Sequence, residues 1–192
     1  MSPSSTMFVK KVIFLHYEFN MSTMLFRKAE EKDFDEIWAD ILYAKKYMYM
    51  NGRHQWTEEY PSPELIKEDI KAQRGYVIES DGHVAAYGVV VLNGEPEYEN
   101  LHDGTWLTHG DYYVIHRMAV SEQFRRKGMS KRFINYVSDM CRDTNVPSIK
   151  VDTNFDNVEM LNMLPKMGFV RCGRIEYKVS GTRIAFELKI NL

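Results

Sequence analysis

Between Tyr112 and Arg142 the chain reads as an apolar strand, a basic turn and an amphipathic helix, and this order constrains the fold more than any other feature. The run Val114-Ile115-His116-Arg117-Met118-Ala119-Val120 passes through Gln123 to Ser130 into a segment where Met129, Phe133, Ile134, Val137, Met140 and Cys141 recur at helical spacing. A strand must therefore deliver a positively charged turn to the start of a buried helix. The first turn of a helix has unsatisfied N–H groups and roughly half a positive charge. Arg125, Arg126 and Lys127 add full charges beside it, and Gly128 lets a ligand approach the backbone closely. A pyrophosphate suits such a site. A dinucleotide-binding fold would instead carry G-x-G-x-x-G in its first strand–helix turn and an acid ending its second strand, and the chain has neither.

Arg125-x-x-Gly128-x-Ser130, following Met118-Ala119-Val120, resembles the acyl-CoA signature of the GNAT superfamily of N-acetyltransferases, whose usual form is Arg/Gln-x-x-Gly-x-Gly/Ala. Ser130 is a small residue that departs from the usual last position. The segment Asp152 to Asn157, followed by Lys166-Met167-Gly168-Phe169, is similar to that family's second half. The resemblance implies an α/β (α+β) single-domain fold, with a mixed, mostly antiparallel sheet splayed at the cofactor site and flanked by helices. It implies acetyl-CoA as the acetyl donor, with no metal. Arg125, Arg126, Lys127, Gly128, Met129 and Ser130 would hold the pyrophosphate. Met118, Ala119 and Val120 would line the pantetheine arm by strand addition, with Asn154 and Asn157 beside it.

Size and charge agree with this. A chain of 192 residues, 44% hydrophobic, suits one globular domain with a sizeable core. We expect that domain over residues 24–192, preceded by an N-terminal extension over 1–23. The apolar core Val12-Ile13-Phe14-Leu15 within that extension is too short for a signal peptide or a membrane span. A formal net charge of -2 offers no general attraction to nucleic acid. Two cysteines, Cys141 and Cys172, make neither a disulfide framework nor a metal set, so a reducing cytoplasm is the expected compartment. Neither nucleic acid nor membrane is an expected partner, and the resemblance admits a homodimer.

The order of elements is legible throughout. Leu25 to Ala29 reads as a strand, and Asp33 as the cap of a helix with Phe34, Ile37, Trp38, Ile41 and Leu42 on one face. An aromatic segment follows, from Tyr43 to Tyr60. Ser62-Pro63-Glu64 then starts a second helix. Strands at Tyr76 to Ser80 and His83 to Leu92 flank the hairpin dipeptide Asp81-Gly82. Asn93 to Gly110 reads as a long polar insert. After the main helix come a strand at Ser148 to Thr153, a helix at Asn157 to Lys166, and strands at Phe169 to Tyr177 and Thr182 to Ile190, turned by Ser180-Gly181.

Chemistry is the less specific part. An amine of pKa about 10.4 must lose a proton before it attacks a thioester. His116 on the central strand is the candidate to accept it, or an acid such as Glu79 through water. His116 equally fits a hydrogen-bonded core residue. At the family's usual general-acid tyrosine the chain has Leu164, followed by Pro165, which suggests a kinked or shortened helix. Tyr177 is the candidate hydroxyl in its stead, or water. Trp56 and Tyr60, near Arg53, His54, Glu58 and Glu59, are candidate walls for the acceptor or packing under a loop. The expected activity is direct acetyl transfer from acetyl-CoA to a primary amine of a small molecule. A protein N-terminus or lysine as acceptor, or a non-catalytic acyl-CoA-binding module, are the alternatives.

Overall fold

The computed structural model describes residues 24–178 and 181–192, so the extension over 1–23 and Ser180 lie outside the described residues. Along the chain run β1 (Met24–Lys28), α1 (Phe34–Met50), α2 (Pro63–Lys71), β2 (Gly75–Ser80), β3 (His83–Leu92), β4 (Leu101–His102), β5 (Tyr113–Val120), α3 (Met129–Thr144), β6 (Ser148–Thr153), α4 (Val158–Lys166), β7 (Val170–Tyr177) and β8 (Gly181–Lys189). The strands form one sheet in the order β1-β2-β3-β5-β6-β8-β7-β4. Every pairing is antiparallel except β5 with β6. This is the mixed, mostly antiparallel sheet flanked by helices that the resemblance implies.

Period-two alternation in the central strands builds two cores. Val77 and Val89 face α1 and α2, where Ile37, Ile41, Ile66 and Ile70 are buried. Their neighbours Ile78 and Val90 face α3, whose stripe of Met129, Phe133, Ile134, Val137 and Cys141 is buried against them. The local signals act as their chemistry dictates. Ser62 Oγ accepts the Leu65 N–H at 3.2 Å, capping α2 with Pro63 in its first turn. Asp81 and Gly82 take φ of 53° and 80°, the two positive values a two-residue hairpin turn needs.

Three expectations need adjustment. Asp33 does not cap α1 with its side chain: a short 3-10 turn precedes the helix, and the carboxylate accepts the Glu30 N–H at 2.8 Å and pairs with Arg27. Leu42 is exposed, because the buried stripe of α1 runs through Ile37 and Ile41. The insert from Asn93 to Gly110 is not simply polar. It supplies β4, and its Tyr98 is buried with Val114, Ile175 and Ala185, closing the sheet face that α1 and α2 leave bare. Pro165 stands in the last turn of α4. The helix ends one residue later, where the Phe169 N–H reaches Leu164 O at 3.1 Å and the Gly168 N–H reaches Pro165 O at 3.0 Å.

The feature that shapes the site is a break in the ladder. β5 and β6 pair only where Tyr113 and Val114 meet Ile149 and Lys150, and then separate, leaving Ile115 to Val120 open on that side. On its other side β5 carries a bulge. Tyr87 pairs with Ala119 and Val89 with His116, so Gly88 alone faces Arg117 and Met118.

One buried acid in this frame carries a test of its own. Asp40 of α1 is buried, its Oδ2 has no hydrogen-bond partner, and burial pushes its carboxyl up to about 7 from 3.8, against a hydrogen bond with Ser121. The charge of Glu36 adds to the push. The folded protein therefore binds more protons than the unfolded chain between those values, and Asp40 lowers stability as pH rises through that window. Asp40→Asn is expected to raise the Tm at pH 8, by an equivalent of up to ~4 kcal/mol, and to give no gain at pH 4. Thermal melts across that range check it, and a pH-independent difference would refute it.

Candidate active site

Where β5 and β6 part, a cavity of about 600 Å³ opens. One wall is the bulged stretch of β5. Strict alternation would send His116 and Arg117 to opposite faces, yet His116, Arg117 and Met118 all line the cavity. The bulge makes this possible. Arg117 has a φ of 49°, a left-handed conformation that costs a non-glycine residue roughly 1–2 kcal/mol. Its side chain is tied down in compensation: Nε and Nη2 reach Asp69 Oδ2 of α2 at 2.9 and 2.8 Å, and Nη1 lies 3.3 Å from Tyr60 Oη. Asp69 is fully buried.

His116 meets an acid that the sequence reading missed. Its Nε2 is 3.1 Å from Glu95 Oε2, and both side chains are largely buried at the cavity wall. With Nε2–H donating to the carboxylate, the lone pair of the neutral ring sits on Nδ1. Burial pushes the Glu95 carboxyl above its usual range, against the hydrogen bond to His116. Glu79 is elsewhere: it pairs with Arg27 at 2.8 Å on β2 and does not line the cavity. Nothing in sequence spacing marks Glu95 among the acids of the insert; only the return of that insert over the sheet brings it to His116.

The facing wall holds Asp152 and Tyr177. Asp152 Oδ1 accepts hydrogen bonds from Tyr98 Oη at 2.7 Å and Tyr177 Oη at 3.0 Å. Burial first, and the Asp152 charge second, hold both phenols well above the usual tyrosine range, so both keep their protons. Leu164, at the position where the family often has a tyrosine, is fully buried in the α3 core.

The roof is the segment between α1 and α2. Trp56 is buried in the α1–α2 core and also lines the cavity, and Tyr60 lines it beside Arg117. Glu58 and Glu59 are exposed outside it. The roof is fastened across the gap. Gln55 Oε1 accepts hydrogen bonds from Thr153 Oγ1, Asn154 N and Asn157 Nδ2, each at 3.1 Å. The His54 N–H donates to Asp156 at 3.0 Å, and Arg53 pairs with Glu159. Asn157 also caps α4 through Met160 N, while Asn154 Oδ1 accepts from Arg183 Nη1 at 2.9 Å.

The basic turn lies beyond the open end of β5. No side chain caps the first turn of α3, and Arg126 and Gly128 both take left-handed conformations, φ 60° and 77°. A Cβ on Gly128 would meet nothing within 4 Å. Arg126 and Lys127 are exposed, whereas Arg125 donates to Tyr43 Oη at 2.6 Å and lies over Tyr47. The Met129 and Ala119 side chains are buried in the two cores, which leaves their backbone for any ligand. Uncapped amides, local positive charge and an open strand edge fit a pyrophosphate carrying an extended arm.

No helix among the described residues is long and apolar enough to cross a membrane. The family model for the acetyltransferase (GNAT) family matches residues 38–169. No curated protein matches the chain. Among solved structures, a GNAT-family acetyltransferase from Streptococcus agalactiae is 31% identical, with a TM-score of 0.79 over 88% of this chain and 96% of that one. Another from Listeria monocytogenes is 21% identical, with a TM-score of 0.68 over 87% and 95% of the two chains. The NatC complex bound to Gag peptide and CoA shares the fold at 17% identity, with a TM-score of 0.60 over 88% and 99%. The family model spans the chain from α1 to the approach to β7, across both the splayed strands and the basic turn, and the protein belongs to the acetyltransferase (GNAT) family.

Proposed function

We propose that the protein is an N-acetyltransferase that moves the acetyl group of acetyl-CoA directly to a primary amine of a small molecule, both being bound together. The observation that carries this is the Glu95–His116 pair, set in the same cavity as the open edge of β5. When bound, acetyl-CoA supplies an activated acetyl group, whose C–S bond breaks as the N–C bond to the amine forms. The free amides at the start of α3, Gly128 and Ser130, and the charges of Arg125, Arg126 and Lys127 would hold its pyrophosphate, and Met118 to Val120, Asn154 and Asn157 its arm. The backbone amide near Met118, at the bulge of β5, would polarise the thioester carbonyl.

His116 Nδ1 accepts the proton that the amine loses, and the Glu95 carboxylate steadies the imidazolium so formed. Tyr177 keeps its proton on Asp152; turning that hydroxyl into the cavity gives it the donor role for the departing sulfur. The thiol of Cys141 is buried and pushed up to about 12, so it is not a nucleophile at neutral pH, which supports direct transfer over an acyl-enzyme. Initial-rate lines are therefore expected to intersect; parallel lines would overturn direct transfer. NatC, which shares the fold, is bound to a peptide, so the fold alone does not choose the acceptor. The roof made by Trp56 and Tyr60, bolted down by Gln55, favours an enclosed small amine over a peptide. The two free buried cysteines support a reducing cytoplasm.

The test is calorimetric titration of the protein with acetyl-CoA beside Gly128→Trp. A side chain at this left-handed position costs about 1–2 kcal/mol, so the variant folds, as circular dichroism will check. Its Kd is expected to rise by about tenfold or more as the indole occupies the open space over the α3 amides. Equal binding by the folded variant would remove the pyrophosphate from this turn. Failure of CoA release over a broad amine panel, with acetyl-CoA tightly bound, would overturn the transfer itself.

A further inference from the structure

Resting on the acyl-transfer reading, we propose that the acceptor amine also carries a carboxylate, which Arg117 and Tyr60 hold while the amine faces Glu95 and His116. An arginine at the centre of a sheet strand, in a left-handed conformation, persists only where its surroundings demand it. Here they demand one orientation. Nε and Nη2 are both spent on Asp69, which leaves the Nη1 edge of the guanidinium, with Tyr60 Oη 3.3 Å away, to face the cavity. A planar donor edge beside a phenol matches a carboxylate better than any neutral group.

The charge around this edge is not already cancelled. Asp69 is shared, since Arg74 Nη2 also lies 3.2 Å from its Oδ1, so one buried carboxylate serves two guanidinium groups. Arg74's other acid, Glu68, stands in solvent, where its charge is screened. Arg183, itself buried, brings a second guanidinium to the cavity wall, donating to Asn154. Against these stand Glu95 and Asp152. A wall bearing two cations and two anions suits an acceptor with both signs of charge. A di- or polycationic amine would meet Arg117 and Arg183, and an amine with no acid would leave the Nη1 edge unmatched.

The experiment compares matched pairs: α-, β- and γ-amino acids against the amines left when their carboxyl group is removed, with CoA release followed at saturating acetyl-CoA. At least one amino acid is expected to exceed its decarboxylated partner in kcat/KM by about 100-fold or more. Arg117→Lys and Tyr60→Phe should each shrink that ratio about tenfold, chiefly through KM, with the acetyl-CoA Kd unchanged. Tyr60→Phe serves alone if the lysine variant does not fold. Decarboxylated amines equal to or better than their acids would overturn the carboxylate proposal and leave acetyl transfer standing. Transfer to neither class would overturn both.

Discussion

His116→Gln is expected to lower kcat by about 100- to 1000-fold while acetyl-CoA binds as tightly as before, because the loss falls on proton removal rather than on the donor site. Glutamine has nearly the reach of histidine but offers no base, so the change isolates the chemistry. Glu95→Gln should cost less, on the order of tenfold, since the ring remains and only its counter-charge is gone. A His116→Gln enzyme of normal kcat would assign proton removal to water or another group. An unchanged kcat in Glu95→Gln would reduce the carboxylate to a packing role.

Asp69→Ala is expected to destabilise the fold by about 3–5 kcal/mol, a fall in Tm on the order of 10 °C, because it leaves Arg117 largely buried with only Tyr60 for company. The cost comes from stranding a charge rather than from losing an attraction. The double variant Asp69→Ala/Arg117→Met should therefore recover much of the loss, which urea unfolding of the single and double variants will measure. If the double is no more stable than the single, the energy lies in packing around α2 and not in the pair.

Much of this architecture is legible in the chain, and the reasons are local. The bounds of β6 follow from where alternating apolar residues begin and stop and those of β3 from a continuous apolar run after Asp81-Gly82, while Asp81-Gly82 and Ser62-Pro63 mark the hairpin turn and the cap of α2 through their own chemistry. The basic turn at the start of α3 is likewise local, a property of eight consecutive residues from Gln123 to Ser130. What escaped the reading is pairwise and distant. Glu95 meets His116 only because the insert folds back over the sheet, carrying Tyr98 into the core and β4 to the edge of β7. Arg117 reaches the cavity because of a bulge, and no residue pattern announces one when the odd residue is an arginine. Asp33 has the identity of a cap, yet Arg27 and the Glu30 N–H claim its oxygens first.

The three hydrogen bonds that Gln55 Oε1 accepts have a consequence for how such enzymes diversify. A roof that hangs free could be exchanged between relatives like a removable part, bringing a new acceptor preference with it. Here the part is riveted to β6 and α4, since a single side-chain oxygen gathers Thr153, Asn154 and Asn157, and Arg53 and His54 fasten to the same stretch. A transplanted roof without a glutamine at that point would strand three polar groups beside the open edge of β5. Changing the acceptor by grafting thus means moving two segments together, residues 51–62 with residues 153–159, as one unit of inheritance.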